Sequence, residues 1–335
     1  MNNPLSVLGI ILGATITIPI VLSIFTYDSI ERDERLDINV ENKITYERVD
    51  KESPQIELYH TNLKKTENID IETYLVGVVA SEMPSDFNQE ALKAQAVAAR
   101  TYAMYLQEVG NKSGHKGADI CTDHTHCQAY KGKSELESIK GQEWMKTEYP
   151  KIEEAVKSTK GQIITYESEP ILPLYFSTSS GKTENSKEVF STQEPYLISV
   201  ESTYDEISPK YSSNLLISID DFISALKSKY SNFSIDKSNI SKEIEVIENS
   251  EGGSIKEIKI GNIQCSGRDI RSLFNLNSSN FEIVTDKENV VFEVKGYGHG
   301  VGMSQWGANV MGQEGHMYYD IIKHYYTDVD ITDIY

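Results

Sequence analysis

The sequence predicts an α+β protein in which a single N-terminal transmembrane helix precedes a mixed α/β catalytic domain with a smaller inserted subdomain. Three observations lead there. Residues 5–25 carry no charge, about the roughly 20 apolar residues a spanning helix needs. Helix-period and strand-like segments then follow one another without strict βαβ alternation. Between about 208 and 284 the composition turns Ser-, Asn- and Lys-rich with shorter elements, the mark of an insert.

The N-terminal run reads as an uncleaved anchor over 1–26. No Lys or Arg precedes it, and Ile-Pro-Ile at 18–20 and Ser-Ile-Phe at 23–25 make a poor cleavage site for a signal peptide. The expected location is therefore the cell membrane, single-pass, with the remainder extracytoplasmic. Residues 27–53 are dense in charge without periodicity and read as a linker. The ectodomain then occupies 54–335, with about 208–284 inserted. The formal net charge of −19 argues against nucleic acid, whose phosphates are neutralised by Lys and Arg.

The ectodomain opens with a strand near 56–59. Asp70 can cap a helix, Glu72 suits its first turn, and Pro84 ends it. A second helix follows from Gln89 to Gly110, where Leu92, Ala96, Ala99, Ala103 and Leu106 form one apolar face. Glu82 thus falls in a C-terminal turn, where the helix dipole resists a carboxylate, flanked by Val78, Val79, Ala80 and Met83. Both features raise a carboxyl pKa, as a general acid requires. On these local features alone, a solvated glutamate that merely ends a helix is the commoner outcome.

The run Tyr74-Leu-Val-Gly-Val-Val-Ala-Ser-Glu-Met-Pro84, the following Glu90–Ala103 helix, and Gly296-Tyr-Gly-His-Gly-Val-Gly-Met-Ser-Gln-Trp-Gly-Ala308 together resemble the stage II sporulation protein D family. The resemblance implies a lytic transglycosylase that cleaves denuded peptidoglycan glycan strands in forespore engulfment, with Glu82 catalytic. It also implies assembly with stage II sporulation proteins P and M. One carboxyl suffices for such chemistry, because the muramic C6 hydroxyl serves as internal nucleophile. Hydrolysis usually needs a second carboxylate, and Glu90 and Glu184 are the candidates.

Gln95, Arg100 and Tyr102 leave the alanine face and are candidates for orienting a sugar, or for ordinary core-edge polar roles. Tyr175, Ser177, Ser179, Ser180 and Lys182 gather hydroxyls and an amine beside an aromatic ring, as sugar sites do. The glycine run 296–302 fits neither a dinucleotide fingerprint nor a P-loop. Its glycines suit a tight backbone along a site wall, with His299 and Gln305 toward substrate, or with His299 as a buried structural residue.

His115, Cys121, His124, His126 and Cys127 concentrate soft ligands in one loop. The expected structural zinc takes His115, Cys121, His126 and Cys127, with His124 as substitute; a Cys121–Cys127 disulfide is the alternative. Cys265 reads as a small buried apolar residue. Two other functions compete: a zinc-dependent peptidoglycan amidase or peptidase, and a non-catalytic wall-binding activator of a partner amidase.

Overall fold

The computed structural model describes residues 52–110, 114–190 and 192–335. The expected anchor over 1–26 lies outside the described residues, as does nearly all of the linker. Among the described residues no helix is long and apolar enough to cross a membrane, which corrects the expected fold class there to a mixed α/β body. The longest described helix, Gln89–Val109, has 21 residues and sufficient length, but Glu90, Lys93, Arg100 and Glu108 punctuate it.

Strand Gln55–His60 pairs antiparallel with Lys65–Asp70 and parallel with Ile120–Cys121. Helix α1 (Ile71–Glu82) follows at once, its N-cap Asp70 accepting a hydrogen bond from the Thr73 amide at 2.9 Å. Helix α2 (Gln89–Val109) begins at the Asn88 cap and ends at Gly110, whose φ of 65° closes the last turn. Ala91, Leu92 and every residue from Ala94 to Ala99 are buried, so small side chains let neighbours approach α2 from all sides. Around it pack α1, helix Tyr149–Ser158, strand Gln162–Tyr166 and the C-terminal helices Gln305–Gln313 and Tyr318–Tyr325. Strand Gln162–Tyr166 is itself zipped antiparallel to Asp330–Asp333.

The apolar runs 171–177 and 196–200 have strand-like composition. Only Tyr175–Phe176 is a strand there, paired in parallel with Met303–Ser304, because this stretch is held by loop hydrogen bonds rather than by a ladder. Helix Lys133–Thr147, which shows only one buried residue, Leu136, had no apolar stripe to reveal it.

A second core lies in the region read as an insert. Strands Ser212–Ser218, Phe281–Thr285 and Asn289–Lys295 form one antiparallel sheet, and Ile244–Asn249, Ile255–Ile260 and Ile263–Cys265 another. Phe222, Leu226, Ile258, Ile270 and Phe292 are among the fully buried side chains between them. This smaller core includes Val290, Phe292 and Val294, so strand Asn289–Lys295 belongs to it and the insert runs past the expected end at about 284.

Candidate active site

Glu82 stands in the last turn of α1 because Met83 breaks the helix, its amide still bonded to the Val79 carbonyl. Its Oε1 accepts a hydrogen bond from the Ala129 amide at 2.7 Å. That amide reaches α1 because Gly77 has no side chain: a Cβ there would lie 2.6 Å from both the Lys131 carbonyl oxygen and the Tyr130 ring. Tyr130 in turn stacks on buried Tyr74, with ring centroids 5.2 Å apart. Burial raises the Glu82 pKa above the usual carboxylate range, against the opposing pull of the Ala129 amide, the Gln305 side chain and His124. No salt bridge to Glu82 occurs among the described residues, so burial prevails and the neutral acid is favoured to higher pH.

Glu82 faces a cleft of about 830 Å³. It is lined by Tyr102 and His124–Gln128, by Pro173–Ser177, Phe190, Arg271 and Tyr297–His299, and by Gln305 and Trp306. The glycines at 296, 298, 300 and 302 all have positive φ. A Cβ at Gly298 would meet that of Phe176 at 2.7 Å, and one at Gly302 the Leu174 carbonyl oxygen at 2.0 Å. The strip therefore lies flat against residues 174–178 and presents Tyr297 and His299 to the cleft. Enclosure from water, with Arg271 near, lowers the His299 pKa to about 4, so its imidazole is neutral. Its Nδ1 accepts from the Val301 amide at 3.1 Å, and Phe176 and Phe190 contact the ring.

The expected sugar-binding residues divide. Tyr102, Tyr175, Ser177, His299 and Gln305 line the cleft. The Tyr175 hydroxyl is buried there without a hydrogen-bond partner among the described residues, and Glu82 contributes to raising its pKa, after burial. Gln95 lies one layer behind, accepting from Gln305 Nε2 at 3.3 Å. Ser179, Ser180 and Lys182 turn away. The Ser179 amide bonds to Asp205 at 2.8 Å, Ser180 reaches the Gly252 carbonyl at 3.4 Å, and Lys182 pairs with Glu251 at 2.8 Å. The backbone takes a positive φ of 117° at Gly181 and pairs there with Ser202, which the residue types alone did not reveal.

Arg100 requires correction as a sugar contact. It is fully buried, pairs with Glu72 at 2.7 and 2.8 Å, and gives its remaining hydrogen bonds to the carbonyls of Gln162 and Val156. Four of its five N–H groups are taken and none of the side chain is exposed, so it is closed to a ligand in the cleft. Neither candidate second carboxylate reaches the cleft. Glu90 pairs with Lys93 at 2.7 Å and accepts from the Tyr318 amide at 2.9 Å. Glu184 is buried, with Oε1 accepting from the Ser254 amide at 3.1 Å. Glu82 is the only carboxylate among the described residues that lines the cleft.

His115, Cys121, His126 and Cys127 bring their ligand atoms within 4.8 Å of one another. Sγ of Cys127 lies 3.4 Å from Cys121 Sγ, 3.2 Å from His115 Nε2 and 3.4 Å from His126 Nδ1. Edges of ~3.3–3.8 Å are those of a tetrahedron with zinc–ligand bonds near 2.0–2.3 Å, and the sulfur separation is far beyond a disulfide. His124, the named substitute, stands apart and faces the cleft. Strand pairing of Cys121 opposite Tyr59 seats the loop on the first sheet.

Sequence reasoning missed Asp205. Its buried carboxylate accepts from Ser304, Ser202 and the Ser179 amide, tying the base of the cleft to residues 177–180. Burial raises its pKa to about 6. Its only sequence signal is Gly307, where a Cβ would lie 2.9 Å from Asp205 Oδ2 and 2.0 Å from the Tyr325 hydroxyl. Phe87, Trp306, Lys210 and Arg271 also line the cleft without having been anticipated.

A frame with this cleft and loop is that of a sporulation protein: residues 59–166 match the family model described as stage II sporulation protein. The chain belongs to the stage II sporulation protein D family. It is 39% identical over 284 residues to stage II sporulation protein D of Bacillus amyloliquefaciens, covering 84% of this chain and 80% of that one. The figures are the same for the protein of that name from Bacillus subtilis (strain 168). An amidase enhancer of Bacillus subtilis is 28% identical over 307 residues, spanning 77% of this chain but 40% of the enhancer.

Proposed function

We propose that the protein is a lytic transglycosylase that cuts the bond from N-acetylmuramic acid to N-acetylglucosamine in peptide-free peptidoglycan strands, acting in forespore engulfment. The observation that carries this reading is the solitary carboxyl in the cleft, favoured in its neutral form by burial. Protonated Glu82 donates its proton to the bridging oxygen as the bond to muramic C1 breaks. The resulting carboxylate then takes the C6 hydroxyl proton while O6 attacks C1. The products are a 1,6-anhydromuramic end and a free N-acetylglucosamine 4-hydroxyl. Glu82 is protonated again, and no water is consumed. Tyr175, whose buried hydroxyl has no partner among the described residues, and Gln305 are suited to hold the sugar against Glu82.

In this reading zinc binds His115, Cys121, His126 and Cys127. Four protein ligands saturate it and leave no open position for a reactive water, so its work is structural: only Gln128 separates Cys127 from the amide that holds Glu82. Stage II sporulation proteins P and M are the proposed partners, on the wall side of the mother cell. The likeness to an amidase enhancer supports a second reading, a wall-binding activator without activity of its own.

Mass analysis of peptide-free strands digested by wild type and by Glu82→Gln separates them. Anhydro ends from wild type, reduced about 10³-fold or more in the variant, are expected. Reducing ends would indicate hydrolysis, and binding without any cut product would favour the activator.

A further inference from the structure

Acids outnumber bases 51 to 32 in this chain, yet the cleft wall carries two cations, Lys210 and Arg271. Neither takes part in a salt bridge among the described residues, whereas surface lysines such as Lys182 and Lys151 sit 2.8 and 2.9 Å from an acid. Arg271, half-buried on helix Gly267–Phe274, donates Nε to the Leu276 carbonyl at 3.3 Å, and neither terminal nitrogen has a hydrogen bond among the described residues. Withdrawal from water holds its pKa below the usual guanidinium range, the signature of a charge short of its counter-ion. Lys210 lies 4.7 Å from the centroid of the Tyr297 ring, and Tyr297 lines the same cleft close enough to Arg271 to interact with it electrostatically.

Resting on the glycan-cleaving reading above, we infer that Arg271 and Lys210 recognise the carboxylate on the lactyl arm of a peptide-free muramic acid bound in the cleft that holds Glu82. A guanidinium with two free nitrogens matches the two oxygens of a carboxylate, and an ammonium beside it adds a point charge. When a stem peptide is attached, the same position is an uncharged amide, and Arg271 stays desolvated without compensation. The pair therefore selects against substituted strands by charge as well as by bulk.

The test measures binding alone, in the Glu82→Gln protein, by calorimetry at low salt. The ligands are a peptide-free tetrasaccharide of alternating N-acetylglucosamine and N-acetylmuramic acid, and the same sugar with its lactyl carboxyls converted to methylamides. The amidated sugar is expected to bind roughly tenfold or more weakly, the discrimination of a charged hydrogen bond. Adding Arg271→Met should bring the free-acid sugar to the amidated level; Lys210→Met, at an exposed side chain that cannot disturb the core, should narrow the gap by less. Arg271→Lys, which keeps the charge but not the fork, should fall between. Equal affinity for the two sugars in Glu82→Gln, or an unchanged ratio when both cations are replaced, overturns the inference. So does failure of both sugars to bind. The cleavage reading fails on a different result, the absence of anhydro ends from wild type.

Discussion

Helix α1 carries a glutamate at each end, and the two have opposite fates. Glu72, in the first turn, accepts two hydrogen bonds from buried Arg100 and another from the Tyr335 hydroxyl. Glu82, in the last turn, accepts from one backbone amide, feels only the Gln305 side chain and His124 besides, and has no salt bridge among the described residues. The dipole favours ionisation at the first position and opposes it at the second. A carboxylate matched to a cation cements the fold, whereas a carboxyl denied one is free to exchange its proton.

The comparison can be broken from either end. Glu82→Gln has the largest expected consequence, a loss of anhydro-product formation of about 10³–10⁴-fold with the fold intact; circular dichroism alongside product analysis checks both halves. At the other end, Arg100→Met strands the Glu72 carboxylate and should cost roughly 3–5 kcal/mol in urea unfolding. Its KM for glycan, measured on the fraction that remains folded, should stay at the wild-type value; a raised KM would return Arg100 to the sugar site. Stripping metal with a chelator comes next. Release of the loop should displace the Ala129 amide and lower turnover on the order of 10²-fold, with zinc released in a stoichiometric assay. Activity indifferent to chelation would leave the loop without a role at Glu82.

The smallest effect sharpens the contrast through pH. The Glu82 pKa is raised in the folded protein, so the stability its neutral form contributes is complete below the unfolded carboxylate value and is lost as pH climbs through the folded value. Glu82→Gln, which keeps an acceptor for the Ala129 amide, should therefore melt slightly above wild type at pH 7.5 and level with it near pH 4. A variant that melts lower at both would show that the native carboxyl is stabilised by contacts, as Glu72 is. Turnover should likewise fall on the alkaline side as the acid form is depleted.

Caps and spacing made this helix legible beforehand. Asp70, Pro84, Asn88 and Gly110 bracket α1 and α2, and the position of Glu82 in a terminal turn followed directly. The fate of Arg100 did not follow, because local periodicity puts it off the alanine face without revealing that Glu72 and strand Gln162–Tyr166 close over it. The division of residues 175–182 was equally hidden, since the turning away of Ser179 and Lys182 depends on partners 20 or more positions away, Asp205 and Glu251. Clustered soft ligands in a short loop announced the Cys/His site, because their proximity needs no tertiary information. Arg271 and Lys210 lie far from Glu82 along the chain, and nothing in their neighbours marks them.

The alternation of glycines from 296 to 302 restricts how this cleft can change. At Gly296, Gly298, Gly300 and Gly302 any side chain would collide with the opposing segment, so substitution there remakes the backbone and not the chemistry. Variation is open at the residues between, and Tyr297 and His299 are the two that face the ligand space. A library built to shift which sugars are accepted should hold the even positions fixed and randomise 297 and 299, which amounts to a two-letter specificity dial set in a rigid frame.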